Sequence, residues 1–394
     1  MRLQPEDARH LPIDEIGFAK TFKCRDRTVL VMADCSLSLV NKTGAHYIAQ
    51  ELVASLAHHF SCVRRWRLLD RPLPDGVART VFGRMMLREL SILGDSPALP
   101  WPEPSSADVL RLFMDPLYVL RSQLSSRDII LCHDVGPVTH RFLFPRDIVR
   151  LYETAYTKIA KRKPGIVFVS DTSRNEFVNL FGHDFRYLKT IPLYVRSASA
   201  IGEASPPSGV SGRYLLTVGA LERRKNQLNA IRAYRESGLA RKGVSYLLCG
   251  PRGDGAAMIL EEARRTSGVT VLGYVSDSEL RWLYRNATAF VLPSLLEGFG
   301  MPALEAASYG VLPIVSNNSA LEEAVGGLGV SVDPNSVQDI ARGMSAVCKM
   351  SSADKQRRSE ALLAHAASYS VDNFLSAWDA LLTAERLFER PNGS

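Results

Sequence analysis

Two carboxylates eight residues apart, Glu297 and Glu305, flank a short loop, Gly298-Phe299-Gly300-Met301-Pro302. The preceding run Ala289-Phe-Val-Leu292 is brief, apolar and uncharged, the pattern of a buried parallel strand, and Pro293-Ser294 ends it. Gly298 and Gly300 allow close approach to the backbone, and Pro302 suits the first turn of a helix carrying Leu304 and Glu305. A strand end, a glycine loop and a helix amino terminus together offer N–H donors and a positive dipole end, which suits a nucleotide diphosphate. Carboxylates repel a diphosphate, so Glu297 and Glu305 are expected to take hydroxyls, those of a sugar and of a ribose. Two solvated glutamates on a capped surface helix would show the same spacing, so the rest of the chain must decide.

A second strand end is Tyr214-Leu-Leu-Thr-Val218 followed by Gly219 and then Leu221-Glu-Arg-Arg224-Lys225-Asn226. Arg224 and Lys225 at a strand-to-helix turn can neutralise a diphosphate, one as a bidentate fork and one as a point charge. Tyr246–Cys249 ending at Gly250, and Val269–Leu272 ending at Gly273-Tyr274-Val275, read as two more strands. Earlier in the chain, Thr28–Ala33 reads as a strand and Ala45–Leu56 as a helix, with Gly44 between them as a point of close approach. Asp128–Cys132 is another strand, and His133-Asp134 stands at its carboxyl end, where ligands collect in open α/β sheets. Ile166–Val169 leads into Ser170-Asp-Thr-Ser173 as a helix cap, and Thr190–Val195 is expected as the last strand before a Ser, Gly, Ala and Pro-rich linker.

These motifs resemble the retaining glycosyltransferases with the GT-B fold that carry a Glu-x7-Glu motif, family 4 or group 1, which includes many bacterial polysaccharide mannosyltransferases. The likeness covers roughly residues 28–385 and is more specific in the second half. It implies an α/β architecture of two Rossmann-like domains whose parallel sheets face a central cleft. Residues 1–200 would form the acceptor domain, 201–212 the linker, 213–370 the nucleotide-sugar domain, and 371–394 a helix crossing back to the first domain. The resemblance gives His133 and Glu297 the catalytic roles beside the donor sugar. Lys225, with Arg224, would hold the diphosphate, together with Gly219 and the loop through Gly298, Phe299, Gly300, Met301, Pro302 and Leu304, and the backbone at Gly44 would approach the donor phosphate or the acceptor. Glu305 would hold the ribose, Gly250 would lie beneath the nucleotide, and the backbone of Tyr274 and Val275 would read the base. Many family members carry an arginine directly after the glycine of the Lys225 motif; here Ala220 stands there.

Composition bounds the rest. A chain of 394 residues with 46% hydrophobic and 23% charged residues fits two soluble domains. No apolar run is long enough to span a bilayer, and the start lacks a signal-peptide pattern, so a cytoplasmic protein, peripheral on the inner face of the plasma membrane, is expected. Six scattered cysteines suggest neither a metal site nor a disulfide framework. Without an Asp-x-Asp pair, no metal or other cofactor is called for; the donor would be GDP-mannose or a UDP-hexose. Residues 1–200 hold 28 Lys and Arg against 21 Asp and Glu, and residues 201–394 hold 20 of each, so the whole net charge of +7 lies in the first half. That asymmetry, with Trp66 among Arg64, Arg65 and Arg67 and further arginines at 71, 79, 84 and 88, fits an anionic membrane surface and a glycan or polyprenyl-diphosphate-linked acceptor, and equally a solvated basic face whose arginine stems cover apolar neighbours. No nucleic-acid module is present. The alternatives are a nucleotide-sugar epimerase of the same architecture and a non-catalytic glycosyltransferase partner.

Overall fold

The structure is a computed structural model that describes residues 29–40, 44–105, 108–196 and 202–387. Among the described residues it contains two sheets. The first has seven strands in the order β3-β2-β1-β4-β5-β6-β7: β1 (Leu30–Asp34), β2 (Cys62–Arg65), β3 (Leu68–Leu69), β4 (Val109–Phe113), β5 (Ile129–Cys132), β6 (Gly165–Phe168) and β7 (Tyr187–Thr190). Of these strand pairs, only β2/β3 is antiparallel. The second sheet has six parallel strands in the order β10-β9-β8-β11-β12-β13: β8 (Arg213–Val218), β9 (Val244–Cys249), β10 (Val269–Gly273), β11 (Ala289–Leu292), β12 (Pro313–Ser316) and β13 (Val330–Val332). In both sheets the strand order reverses beside the first strand, between β1 and β4 and between β8 and β11. A crevice opens at the carboxyl ends of such a pair, which is where this class of sheet holds ligands.

Helices cover both faces of each sheet, so the central strands are buried on both sides and read as continuous apolar runs. The helix Val371–Leu387 returns from the second unit to the first. Its Asp379 meets His58 and His59, its Glu385 pairs with Arg186 at 2.6 Å, and its Phe374 packs against Tyr194.

Several expectations need correction. Thr28 and residues 41–43 and 197–201 lie outside the described residues. The last strand of the first sheet is Tyr187–Thr190, and 191–196 run on as irregular chain. The Arg64–Arg67 stretch is no surface patch. Cys62–Arg65 is strand β2, and Arg64 is fully buried between Asp34, Glu103 and Ser122. Trp66 is buried too, its indole N–H donating to Glu89. A buried guanidinium is tolerated when its donors are paired, and Arg64 has two carboxylates for that purpose.

Candidate active site

The loop after β8 and the loop after β11 meet at the switch point of the second sheet. Asn226, in the left-handed region at φ 59°, turns the chain into the helix Gln227–Ser237, and its side-chain amide donates to the carbonyls of Pro293 and Pro334. That ties the Arg224-Lys225 turn to the end of β11. Leu295 N–H then donates to the Arg224 carbonyl at 2.7 Å. Gly219 (φ +143°) lets the Lys225 stem lie across it, and Gly250 (φ +147°) abuts the Gly219 carbonyl, where a Cβ would come within 2.0 Å. Both glycines are fixed by close approach.

Lys225 Nζ donates to Glu297 Oε1 at 2.7 Å, and Arg224 Nη1 to Oε2 at 3.3 Å; Ser294 Oγ also donates to Oε1. Glu297 is 8% exposed. Burial pushes its carboxyl pKa up, but the Lys225 and Arg224 charges and the hydrogen bonds from Lys225 and Ser294 outweigh it and hold the group at about 2. Arg224 loses hydration by burial, yet Glu297 and Glu222 raise its pKa above the ordinary value. The site is therefore a fixed cation–carboxylate–cation cluster, with Glu297 ionised at neutral pH.

Past it, Gly300 (φ +102°) caps the helix Met301–Ser308 with Pro302 in its first turn. The N–H groups of Gly298, Phe299, Gly300 and Met301 have no hydrogen-bond partner among the described residues. Phe299 turns its ring inward against Tyr369, and Leu304 is fully buried, so these two can offer a ligand only their backbone. Glu305 is 1% exposed. Arg196, at the end of the first unit, donates to its Oε1 at 2.6 Å, and the Tyr284 hydroxyl to its Oε2 at 2.9 Å. The expectation of a carboxylate open to ribose is thus met by one already holding two donors.

The first sheet supplies the opposite wall. A Cβ on Gly298 would lie 2.1 Å from the His133 carbonyl oxygen, and one on Gly44 would lie 2.9 Å from Met301 Sδ. Ser170 and Ser173, the cap of the helix Asp171–Phe181, donate to the Gly298 carbonyl, and Ser173 also to that of His133. Glu323 accepts from the N–H groups of Asp171 and Thr172 and from the Thr172 hydroxyl, placing a carboxylate of the second unit on a helix amino terminus of the first. His133 Nε2 lies 3.1 Å from the Met114 carbonyl, so that nitrogen carries the proton and Nδ1 is the acceptor. Burial pushes the His133 pKa down despite Asp134 beside it, which keeps the ring neutral. Asp134 accepts from Gly136 N–H and caps the next turn.

Gly44, His133, the 298–302 loop, Lys225, Arg224 and Glu297 are thus brought together. Tyr274 and Val275 are not: they follow β10, two strands from β8, and Tyr274 is 87% exposed without a hydrogen bond to the cluster. Sequence reasoning missed Ser294, Glu222, Arg196 and Tyr284. Ser294 sits three residues before Glu297, a spacing that could have shown it; the partners of Glu305 come from distant stretches with no local signal. Among the described residues, the one group close enough to hold a metal is His58, His59 and Asp379. It joins the turn Ala57–His59 of the first unit to Asp379 of the crossing helix and belongs to neither strand end of the cluster.

Residues 204–362 match the family model described as glycosyl transferases group 1. O-antigen chain mannosyltransferase B of Escherichia coli is 32% identical over 241 residues, covering 58% of this chain and 63% of that protein. O-antigen chain mannosyltransferase RfbU of Salmonella typhimurium is 27% identical, covering 52% and 56%. The chain thus spans less than two thirds of the curated relatives it matches. Among solved structures, a trehalose-6-phosphate synthase studied for glycosyl transfer with retention has a TM-score of 0.63 at 14% identity, covering 91% of this chain and 99% of that one. The Escherichia coli structure bound with UDP-2-fluoro glucose scores 0.60 at 15% identity, covering 90% and 86%. At these identities the likeness is one of fold, the GT-B arrangement of two facing α/β units.

Proposed function

We propose that this chain moves a hexose, mannose first, from a nucleoside diphosphate sugar to a hydroxyl of a lipid-linked or oligosaccharide acceptor in bacterial surface polysaccharide synthesis, a reading supported by the match of residues 204–362 to the group 1 glycosyl transferase model and by the GT-B fold. The observation that carries this reading is Glu297 held ionised between Lys225 and Arg224 at the switch point, beside a loop with N–H groups unpartnered among the described residues. The mannosyltransferase names of the relatives favour GDP-mannose over a UDP-hexose.

Lys225 spends one of its three ammonium donors on Glu297, which leaves two for phosphate oxygens. As the bond between the sugar and the diphosphate breaks, negative charge grows on the leaving oxygen. Lys225, Arg224 and the loop N–H groups are already aimed there, so they stabilise it without reorganising. The acceptor oxygen bonds to the same carbon on the face the diphosphate leaves, its proton passes to the departing phosphate, and configuration is retained. Glu297 fixes sugar hydroxyls, and the neutral His133 ring offers Nδ1 as an acceptor for another. The fixed cations take the charge that a metal would otherwise carry. Hydrogen bonds from Ser170 and Ser173 to the Gly298 carbonyl, and from the Asp171 and Thr172 N–H groups to Glu323, join the two units. The epimerase alternative has no observation in its favour, since Glu297 is locked between cations and one His133 nitrogen is committed to Met114. The test is transfer of label from GDP-mannose and from UDP-glucose to a lipid-linked oligosaccharide fraction. Mannose in α linkage, the configuration of the donor, supports the reading; transfer from neither donor rejects it.

A further inference from the structure

The helix Gly76–Leu93 packs on the first unit, against the helix Arg146–Arg162 and the turn Ser36–Leu39, and buries the face that carries Arg79, Gly83, Met86 and Leu90. Its opposite face is apolar where a surface helix is usually charged. Val77, Val81, Met85 and Ile92 are 80, 44, 52 and 69% exposed. At 100° per residue the four fall within a sector of roughly 80°, opposite the buried face, and extend over about 22 Å. Arg88 lies inside that sector and Arg84 at its edge; both are exposed, and neither has a partner among the described residues. The one acid of the helix, Glu89, turns inward to accept from Trp66, Arg67 and Trp101. Single exposed aliphatics are ordinary, but four in one stripe between such arginines make the pattern of a helix lying in a membrane interface.

Charge identifies the occupant. The exposed face of the helix carries Arg84 and Arg88 and no acidic residue, within a half of the chain that holds the whole net +7. We propose that this helix docks on an anionic lipid surface, its aliphatic stripe at the headgroup boundary and Arg84 and Arg88 on lipid phosphates. Its place in the fold suits an acceptor delivered from the bilayer. Gly83 packs on the Leu39 carbonyl, where a Cβ would come within 2.7 Å, and Gly44 of the same unit abuts Met301 at the cleft. The docked helix therefore sets the cleft opening beside the lipid. This deepens the acceptor side of the proposed function and rests on that reading only for what the membrane delivers.

The test sediments the full chain with vesicles of phosphatidylcholine alone and with added phosphatidylglycerol, at low and high salt. Capture by the anionic vesicles at low salt, weakened by salt, is expected. Arg84→Gln with Arg88→Gln lowers vesicle affinity about fivefold per arginine, and Met85→Glu with Ile92→Glu abolishes capture, each with an unchanged melting temperature. If the glutamate pair melts early, the glutamine pair decides. Wild-type protein left in the supernatant under all conditions, as a face covered by a protein partner would give, overturns the inference; so does capture of the glutamine pair equal to wild type. Loss of vesicle binding with donor binding intact rejects this inference alone, and vesicle binding without donor binding rejects the reaction instead.

Discussion

Replacing Lys225 with methionine keeps the stem and removes the charge, and the geometry around Nζ sets the size of the effect. Nζ lies 2.7 Å from Glu297 Oε1, and both side chains are 8% exposed, so water does little to replace the lost partner. Breaking a buried pair outright costs about 3–5 kcal/mol. Here Arg224 at 3.3 Å and Ser294 at 2.9 Å stay on the carboxylate, so about 1.5–3 kcal/mol is expected for the single charged hydrogen bond. If the same contact serves the leaving diphosphate, donor kcat/KM falls by about ten- to a hundredfold. Stability gives a second, independent reading. Glu297 has its pKa held below the ordinary 4.5, at about 2, so its contribution is present above about pH 4.5 and is lost as pH falls toward 2. Holding the carboxyl that far below its ordinary value is worth at most about 3.4 kcal/mol. In Lys225→Met the Glu297 pKa rises toward its ordinary value, so the variant loses less stability than wild type over that pH range. Donor kinetics at neutral pH and thermal unfolding at pH 7 and pH 3 measure both. Wild-type kinetics together with an unchanged pH dependence would refute the reasoning.

Transfer is expected to persist in EDTA, because fixed cations face the diphosphate; complete loss restored by magnesium or manganese would show that the phosphate site has been assigned to the wrong groups. Gly298→Ala places a methyl 2.1 Å from the His133 carbonyl, which the backbone cannot yield without separating the two units; turnover is expected to fall at least about tenfold, and full activity in that variant would contradict the closed geometry.

The second sheet was legible because its parallel strands are buried on both faces and so read as uninterrupted apolar runs that end in glycine or proline: Tyr214–Val218, Tyr246–Cys249 and Ala289–Leu292 all appear as strands. The Lys225 and Glu297 loops begin directly at those ends. The first sheet hid three strands, the two-residue Leu68–Leu69 among them. Cys62–Arg65 and Val109–Phe113 each carry an arginine mid-strand, which breaks the apolar signal, and only the fold shows Arg64 meeting Asp34 from 30 residues away and Arg111 meeting Glu103. The same blindness made Trp66 look like a membrane contact when it is core. Glu305 was placed on its helix correctly, but Arg196, 109 residues distant, and Tyr284 reach it through packing between the units, which no local spacing encodes.

The central claim is that Lys225, Arg224 and the glycine loop form the seat of a nucleoside diphosphate sugar. Titrating GDP-mannose into wild-type protein and into Glu297→Gln and Lys225→Met variants, with thermal unfolding as the readout, tests it most directly. Saturating GDP-mannose is expected to stabilise wild type by about 2.7 kcal/mol at a hundredfold excess over Kd, UDP-glucose to do so less, and both variants to lose most of that gain. A donor-induced shift of equal size in all three proteins, or none in wild type, would contradict it.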